Sequence, residues 1–332
     1  MTRAALWLLG GGLALFAGVL IAHGVSAVFA TLALAGWGLV GVTLIHLAPL
    51  VLDAGAIRVL QERAPRGALR DACLVRWISE SANSLMPAGQ IGGPLLMIRQ
   101  LIQRGMPVPA AVAAITVSTT LQALAQAAFA LMGLALLGAR VSGMPGEAPA
   151  AAAIGAGCVL VLLPAAFYLL QRRGLFAGMI RLLQRVFGRR DWSDVLTHAA
   201  AIDVALQRTY GRSARVTASF ALSLVGWVVG TAEVFVICRL IDSPIGWGDA
   251  LVLESLGQAI RAAAFAVPGA LGVQEGGYLL LAPLAALRPD VALALSLAKR
   301  ARELLLAVPG LIYLHVAENA VRRRAKTTPL GD

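Results

Sequence analysis

The chain has 332 residues, of which 59% are hydrophobic and 14% charged, with mean hydropathy +0.80 and a net charge of +11. Soluble domains carry about 25% charged residues, so this composition excludes an ordinary soluble domain and leaves an integral membrane protein. The basic excess does not point to nucleic acid, because Lys and Arg gather between apolar runs, as they do in cytoplasmic loops.

Met1–Arg3 leads into Leu6–Ala22, which reads as an uncleaved first span, since no small-residue cleavage site precedes a soluble domain. A second span is expected at Val28–Leu52. Asp53–Asp71 holds Arg58, Arg63, Arg66 and Arg70 and reads as a cytoplasmic loop. The next apolar run, Cys73–Met86, is too short to span. Pro87-Ala88-Gly89-Gln90-Ile91-Gly92-Gly93-Pro94 follows and cannot be continuous helix. A second short run, Leu95–Ile102, ends at Arg104. Two half-length helices around such a break describe a re-entrant hairpin over 73–104. Non-helical backbone at membrane depth is tolerated only when buried in protein or lining a wet cavity.

Further spans are expected at Ala110–Leu137, where Gly133 reads as an ordinary lipid-facing position, and at Ala150–Leu170. Gln171–Arg215 has nine Arg against three Asp and reads as a cytoplasmic connector. Within it Leu175, Phe176, Met179, Ile180, Leu182, Leu183, Val186 and Phe187 share one helical face, opposite Arg181, Gln184 and Arg185. That pattern fits an in-plane amphipathic helix, or a cap over the bundle. A span at Val216–Ile241 precedes a second broken segment over 250–287, with its break at Pro268–Gly277. The last helix, Asp290–Val316, leads to the basic tail Arg322–Lys326.

The expected fold is an all-α polytopic membrane protein with about six transmembrane helices plus two re-entrant helical hairpins in one membrane domain. Its halves are 1–170 and 216–332, and both termini are cytoplasmic. Glu80-Ser81 ahead of Pro87…Gly92-Gly93 parallels Glu254-Ser255 ahead of Pro268…Gly276-Gly277. Paired interrupted segments in opposite orientation suggest an inverted repeat with its site where they meet.

Ionisable residues inside the apolar runs carry the functional signal, because a charge at the bilayer centre costs about 2.5–3.5 kcal/mol even on a lenient scale. Glu80, Asn83 and Ser84 share one helical face, followed by Gly89, Gln90, Gly92, Gly93 and Arg99. Glu254, Gln258 and Arg261 share another, followed by Gly269, Gly272, Glu275, Gly276 and Tyr278. Glu254 and Arg261 are too far apart to pair, so partners are sought among Glu80, Glu233, Glu275 and Arg99. The third cluster is Lys299-Arg300-Ala301-Arg302-Glu303, where Lys299 and Glu303 are spaced to pair. Asn and Gln offer donors and acceptors to a hydroxylated or phosphorylated headgroup, and the glycines let backbone N–H groups approach an anion. A purely structural role, in capping and ion pairing, stands beside each of these. His46 and His315 read as satisfied helix residues, with a place near the polar interior as the alternative. The four histidines and three cysteines form no ligand spacing, so no metal, disulfide or other cofactor is expected. Catalytic motifs are absent, and the chain is not read as an enzyme.

The run Glu80–Arg99, together with Pro268-Gly269-Ala270-Leu271-Gly272-Val273-Gln274-Glu275-Gly276, resembles the membrane domain of lysylphosphatidylglycerol synthases, a flippase-like family. Ser79–Gly93 looks like the hopanoid-biosynthesis-associated membrane proteins of bacteria. The resemblance implies a multi-pass inner-membrane protein that moves a polar-headed lipid, a hopanoid or a modified phospholipid, between leaflets. Full-length synthases add an aminoacyltransferase domain. The chain ends at Asp332 without one, so the lipid-translocating half alone is implied. Glu80, Asn83, Gln90 and Arg99 would hold the headgroup from one side, and Glu254, Gln258, Arg261, Glu275, Tyr278 and Arg300 from the other. The rival readings are a headgroup transferase or hydrolase with Glu80 or Glu275 as base, and an accessory protein of lipid synthesis. A homo-oligomer is left open.

Overall fold

The computed structural model describes residues 25–61, 68–85, 92–141, 165–176, 178–180, 193–264 and 267–327, with 18, 21 and 162. Every regular element among them is helical. Helices α1 (Val25–Ala35) and α2 (Gly38–Leu60) replace the single span expected at 28–52. Gly36 breaks it by taking φ +43, a left-handed conformation that glycine reaches without steric cost. Helix α2 then continues through Asp53 and Arg58, where a loop was expected. Its last turns bury Ile57 and Leu60, which gives them an apolar reason to stay helical. The expected first span lies almost wholly outside the described residues.

Helices α3 (Ala68–Leu85) and α4 (Gly92–Gln103) form an antiparallel hairpin. Arg104 Nε lies 3.4 Å from Asp71 at its open end. Val75 packs with Met97 and Leu101 midway, and the Gly93 N–H donates to Asn83 Oδ1 at 2.9 Å near the tip. A Cβ on Gly93 would overlap both Ser79 and Asn83, so the stems approach only because this residue has no side chain. Gly89 and Gln90 lie outside the described residues.

Helix α5 (Val108–Val141) covers the span expected at 110–137. Gly133 on it is not lipid-facing, because a Cβ there would overlap Ser255. Small residues at such a crossing let two helices pack closely in a membrane. Most of the span expected at 150–170 lies outside the described residues. The connector is folded against the bundle. Tyr210 at the end of α6 (Ser193–Tyr210) donates to Gln171 Oε1 at 2.6 Å, and Gln171 Nε2 donates to Thr120 of α5 at 2.7 Å. Leu206 and Phe176 pack with Val117 and Leu121, whereas Arg181–Phe187 of the expected amphipathic face lie outside the described residues.

Helix α7 (Ser213–Leu240) precedes the second hairpin, made of α8 (Trp247–Ala263), the turn Pro268–Ala270 and α9 (Val273–Leu281). Arg261 donates to Gln274 at 3.0 Å near its tip, and Ile260 faces Gly277. Gly269 (φ 60) and Gly272 (φ 76) make the turn in left-handed geometry. Gly276, grouped with them from sequence as a close-approach position, faces open space. Helix α10 (Pro289–Thr327) is the last of the described helices.

Three of these helices, α2, α5 and α7, are long and apolar enough to cross a membrane. Leu44, Val225, Leu305 and Ile312 are among the large apolar side chains turned outward, as a lipid-facing surface requires. The packing repeats itself. Helix α2 lies on α7, α3 on α10 and α8 on α5. Ser81 of α3 occupies the space a side chain at Gly310 of α10 would need, as Ser255 of α8 does at Gly133 of α5. The two hairpins meet at their tips, where a Cβ on Gly269 would stand 3.3 Å from the Ser84 carbonyl oxygen.

Candidate functional site

The tips enclose a cavity of about 250 Å³. The first hairpin contributes Glu80, Asn83 and Ser84, and the second Gln258, Arg261 and Gly269. Helix α5 adds Thr119, Gln122 and Gln126, α7 adds Trp227, α2 adds His46, and α10 adds Arg302 and Glu303. Of the residues singled out from sequence, Glu80, Asn83, Ser84, Gln258, Arg261, Gly269, Arg302 and Glu303 come together here.

A charge network surrounds this space. His46 Nε2 lies 2.6 Å from Glu80 Oε1, and its Nδ1 contacts Glu233. Ionised carboxylates only accept hydrogen bonds, so a ring with both nitrogens on carboxylates fits as imidazolium. Arg302 closes the group, 3.3 Å from Glu80 Oε1 and 3.3 Å from Glu233 Oε2. Deeper in the wall, Glu254 accepts from Lys299 Nζ at 2.5 Å, Gln258 Nε2 at 2.8 Å and Tyr278 Oη at 3.3 Å. Arg261 pairs with Glu303. Asp53 accepts from Arg76 at 2.8 Å and from Gln122 at 2.6 Å. Buried charges persist in proteins when paired and hydrogen-bonded. Among the described residues the acids Asp53, Glu80, Glu233, Glu254, Glu275 and Glu303 face Arg76, Arg261, Lys299, Arg300 and Arg302. The His46 imidazolium balances the remaining charge.

Arg300, Glu275 and Tyr278 stand behind the cavity wall. Arg300 donates to the carbonyls of Gly269 at 2.5 Å and Ala270 at 3.1 Å, and to Glu275 at 3.1 Å. Glu275 in turn accepts from the Gly272 N–H at 2.7 Å. Two side chains, Arg300 and Glu275, thus fix the turn that carries Gly269. Arg99 is placed elsewhere, 54% exposed and 2.8 Å from Glu318 on the outer face of α10. Lys299 and Glu303 do not pair with each other, because each has a buried partner on α8. Glu254 and Arg261 find those partners on α10, and none of the four sought from sequence serves.

The sequence reading leaves out Asp53 and the α5 stripe, and it gives His46 the polar interior only as an alternative. His46 is the hub of the network, although its own helix offers it no partner. Thr119, Gln122 and Gln126 recur at one-turn intervals in an otherwise apolar span, a polar stripe that was available as a signal.

The sequence profile described as "Lysylphosphatidylglycerol synthase TM region" matches residues 7–310. This is a multi-pass, membrane-embedded all-α chain, and it belongs to that family. Its family and its buried polar interior are consistent with a role connected to membrane lipids. Neither the curated proteins nor the solved structures offer a match.

Proposed function

We propose that this protein binds a polar-headed membrane lipid and moves it between leaflets. The observation that carries the reading is the polar cavity at the contact of two helical hairpins, inside a molecule that turns many large apolar side chains outward. The hairpins enter the membrane from opposite sides, as an inverted repeat would place them, with about six full spans around them. The protein sits in the bacterial inner membrane with both termini and the 171–215 connector in the cytoplasm, in keeping with the positive-inside rule. Glu80, Asn83, Gln258 and Arg261 line the headgroup site, and Glu254, Glu275, Tyr278 and Arg300 hold its wall. The hopanoid-associated branch is the branch proposed, on the Ser79–Gly93 motif.

The test is reconstitution of the purified protein in phosphatidylcholine vesicles carrying tail-labelled lipids. Redistribution of intact lipid between leaflets is the expected result. A chemically altered headgroup would make the protein an enzyme. Neither change would leave it an accessory of lipid synthesis and overturn the proposal.

A further inference from the structure

Among the described residues the charges on the cavity lining are already matched. Arg261 holds Glu303 and Gln274, while Arg302 and His46 hold Glu80 and Glu233. An anionic headgroup entering here finds its cations taken, and a cationic one finds its carboxylates taken. Either must break a buried pair and strand a charge, which is strongly unfavourable.

Among the described residues the groups left open are neutral. Asn83 uses Oδ1 on the Gly93 N–H and keeps its amide donors. Gln126 donates to the Gln258 carbonyl and Gln258 to Glu254, so both keep an amide oxygen. The Thr119 hydroxyl makes no hydrogen bond among the described residues and lines the cavity. Donors and acceptors side by side are the complement of hydroxyl groups, which do both. Trp227 adds an indole to the same wall, an apolar plate for the C–H face of a ring.

The crossing glycines show why the open groups fall on one side. Counting back seven, eleven and fourteen residues from Gly133 gives Gln126, Gln122 and Thr119 on α5. The same steps back from Gly310 give Glu303, Lys299 and Ser296 on α10. The α10 set is consumed inside the protein, by Arg261, by Glu254, and by Gln274 with Glu275. The α5 set is uncharged and faces the cavity.

We infer that this cavity takes an uncharged polyhydroxylated headgroup, of the sugar, cyclitol or polyol class, in preference to a phosphate-bearing or amine-bearing one. The inference rests on the lipid-carrier reading for the presence of tails, but its binding chemistry is testable alone. A volume of about 250 Å³ is below the roughly 300–1,000 Å³ of sites that enclose drug-sized ligands. It suits a headgroup whose tails remain in the bilayer.

The test uses the full chain in phosphatidylcholine nanodiscs, avoiding maltoside detergent, which would compete as a sugar. Tail-labelled monoglucosyl diacylglycerol, phosphatidylglycerol and lysylphosphatidylglycerol are added separately, and retention is read by native mass spectrometry. The glucosyl lipid is expected to bind on the order of tenfold more tightly than either charged lipid, because only it leaves the buried pairs intact. Thr119→Val keeps the side-chain shape and removes one hydroxyl. It should weaken glucosyl lipid binding about two- to tenfold, the value of one hydrogen bond. Tighter binding of a charged lipid, equal binding of all three, or no binding overturns the inference. Leaflet exchange of the same lipids in vesicles separates the two claims. Selective glucosyl binding without exchange keeps the headgroup class and removes the carrier reading. Exchange of a charged lipid alone does the reverse.

Discussion

The Lys299–Glu254 pair offers a quantitative test of how the buried charges are held. The Lys299 side chain is 1% exposed and that of Glu254 4%, with 2.5 Å between Nζ and Oε2. Lys299→Met would leave Glu254 with only the Gln258 amide and the Tyr278 hydroxyl. Breaking one side of a buried pair costs about 3–5 kcal/mol, because the survivor stays desolvated and uncompensated. Glu254→Gln strands the ammonium by the same mechanism and should cost a similar amount. The double variant removes both charges, while the new amide still meets Gln258 and Tyr278. It should cost under about 2 kcal/mol, since an uncharged replacement of a buried pair is often close to neutral. Independent effects would instead sum to roughly 6–10 kcal/mol. Reversible unfolding in mixed micelles of rising dodecyl sulfate fraction, followed by circular dichroism, measures all four proteins of the cycle. A double variant as unstable as the sum of the singles would refute the pairing argument.

Three further outcomes are expected. Gly93→Val should abolish the folded fraction in detergent, because its Cβ overlaps Ser79 and Asn83, whereas Gly276→Ala, facing open space, should leave it near wild type; size-exclusion chromatography separates the two. Arg99→Ala should change stability by no more than about 1 kcal/mol, as expected for an exposed ion pair, and should leave lipid retention in nanodiscs intact; a loss of retention would return Arg99 to the site. Arg190→Cys, made after replacing Cys73, Cys158 and Cys238, should resist an impermeant thiol reagent in intact cells, and labelling from outside would reverse the proposed orientation.

The hairpins were legible because their cause is local. A run of Gly and Pro between half-length apolar segments cannot continue a helix, and α3 and α4, like α8 and α9, are separate helices packed against each other. The parallel between Glu80-Ser81 and Glu254-Ser255 also survived, now with a packing reason in the two serine–glycine crossings. What failed was the direction of side chains. Arg99 shares a segment with Glu80 in sequence, yet α4 turns it toward Glu318. Lys299 and Glu303 have the spacing to pair, but each is claimed by an opposite charge on α8. His46 was hidden most completely. Its partners lie 34, 187 and 256 residues away, and no local pattern announces contacts at that range. The α1–α2 break was missed because Gly36 and Gly38 sit in an apolar run, without a proline or polar neighbour to mark it.

The two serine–glycine crossings also bear on how the molecule is made. Each hairpin is seated on a helix from beyond the connector, α3 on α10 and α8 on α5, so neither side of the connector can finish its own packing. A ribosome that has released the first half has delivered His46 and Glu80 to the membrane, while Arg302 is still to be synthesised. Until α10 arrives, the acids of α3, α7 and α8 lack their guanidinium and ammonium partners, and Ser81 lacks the glycine groove that receives it. Insertion of α10 supplies both the opposite charges and the glycine groove that the earlier helices need.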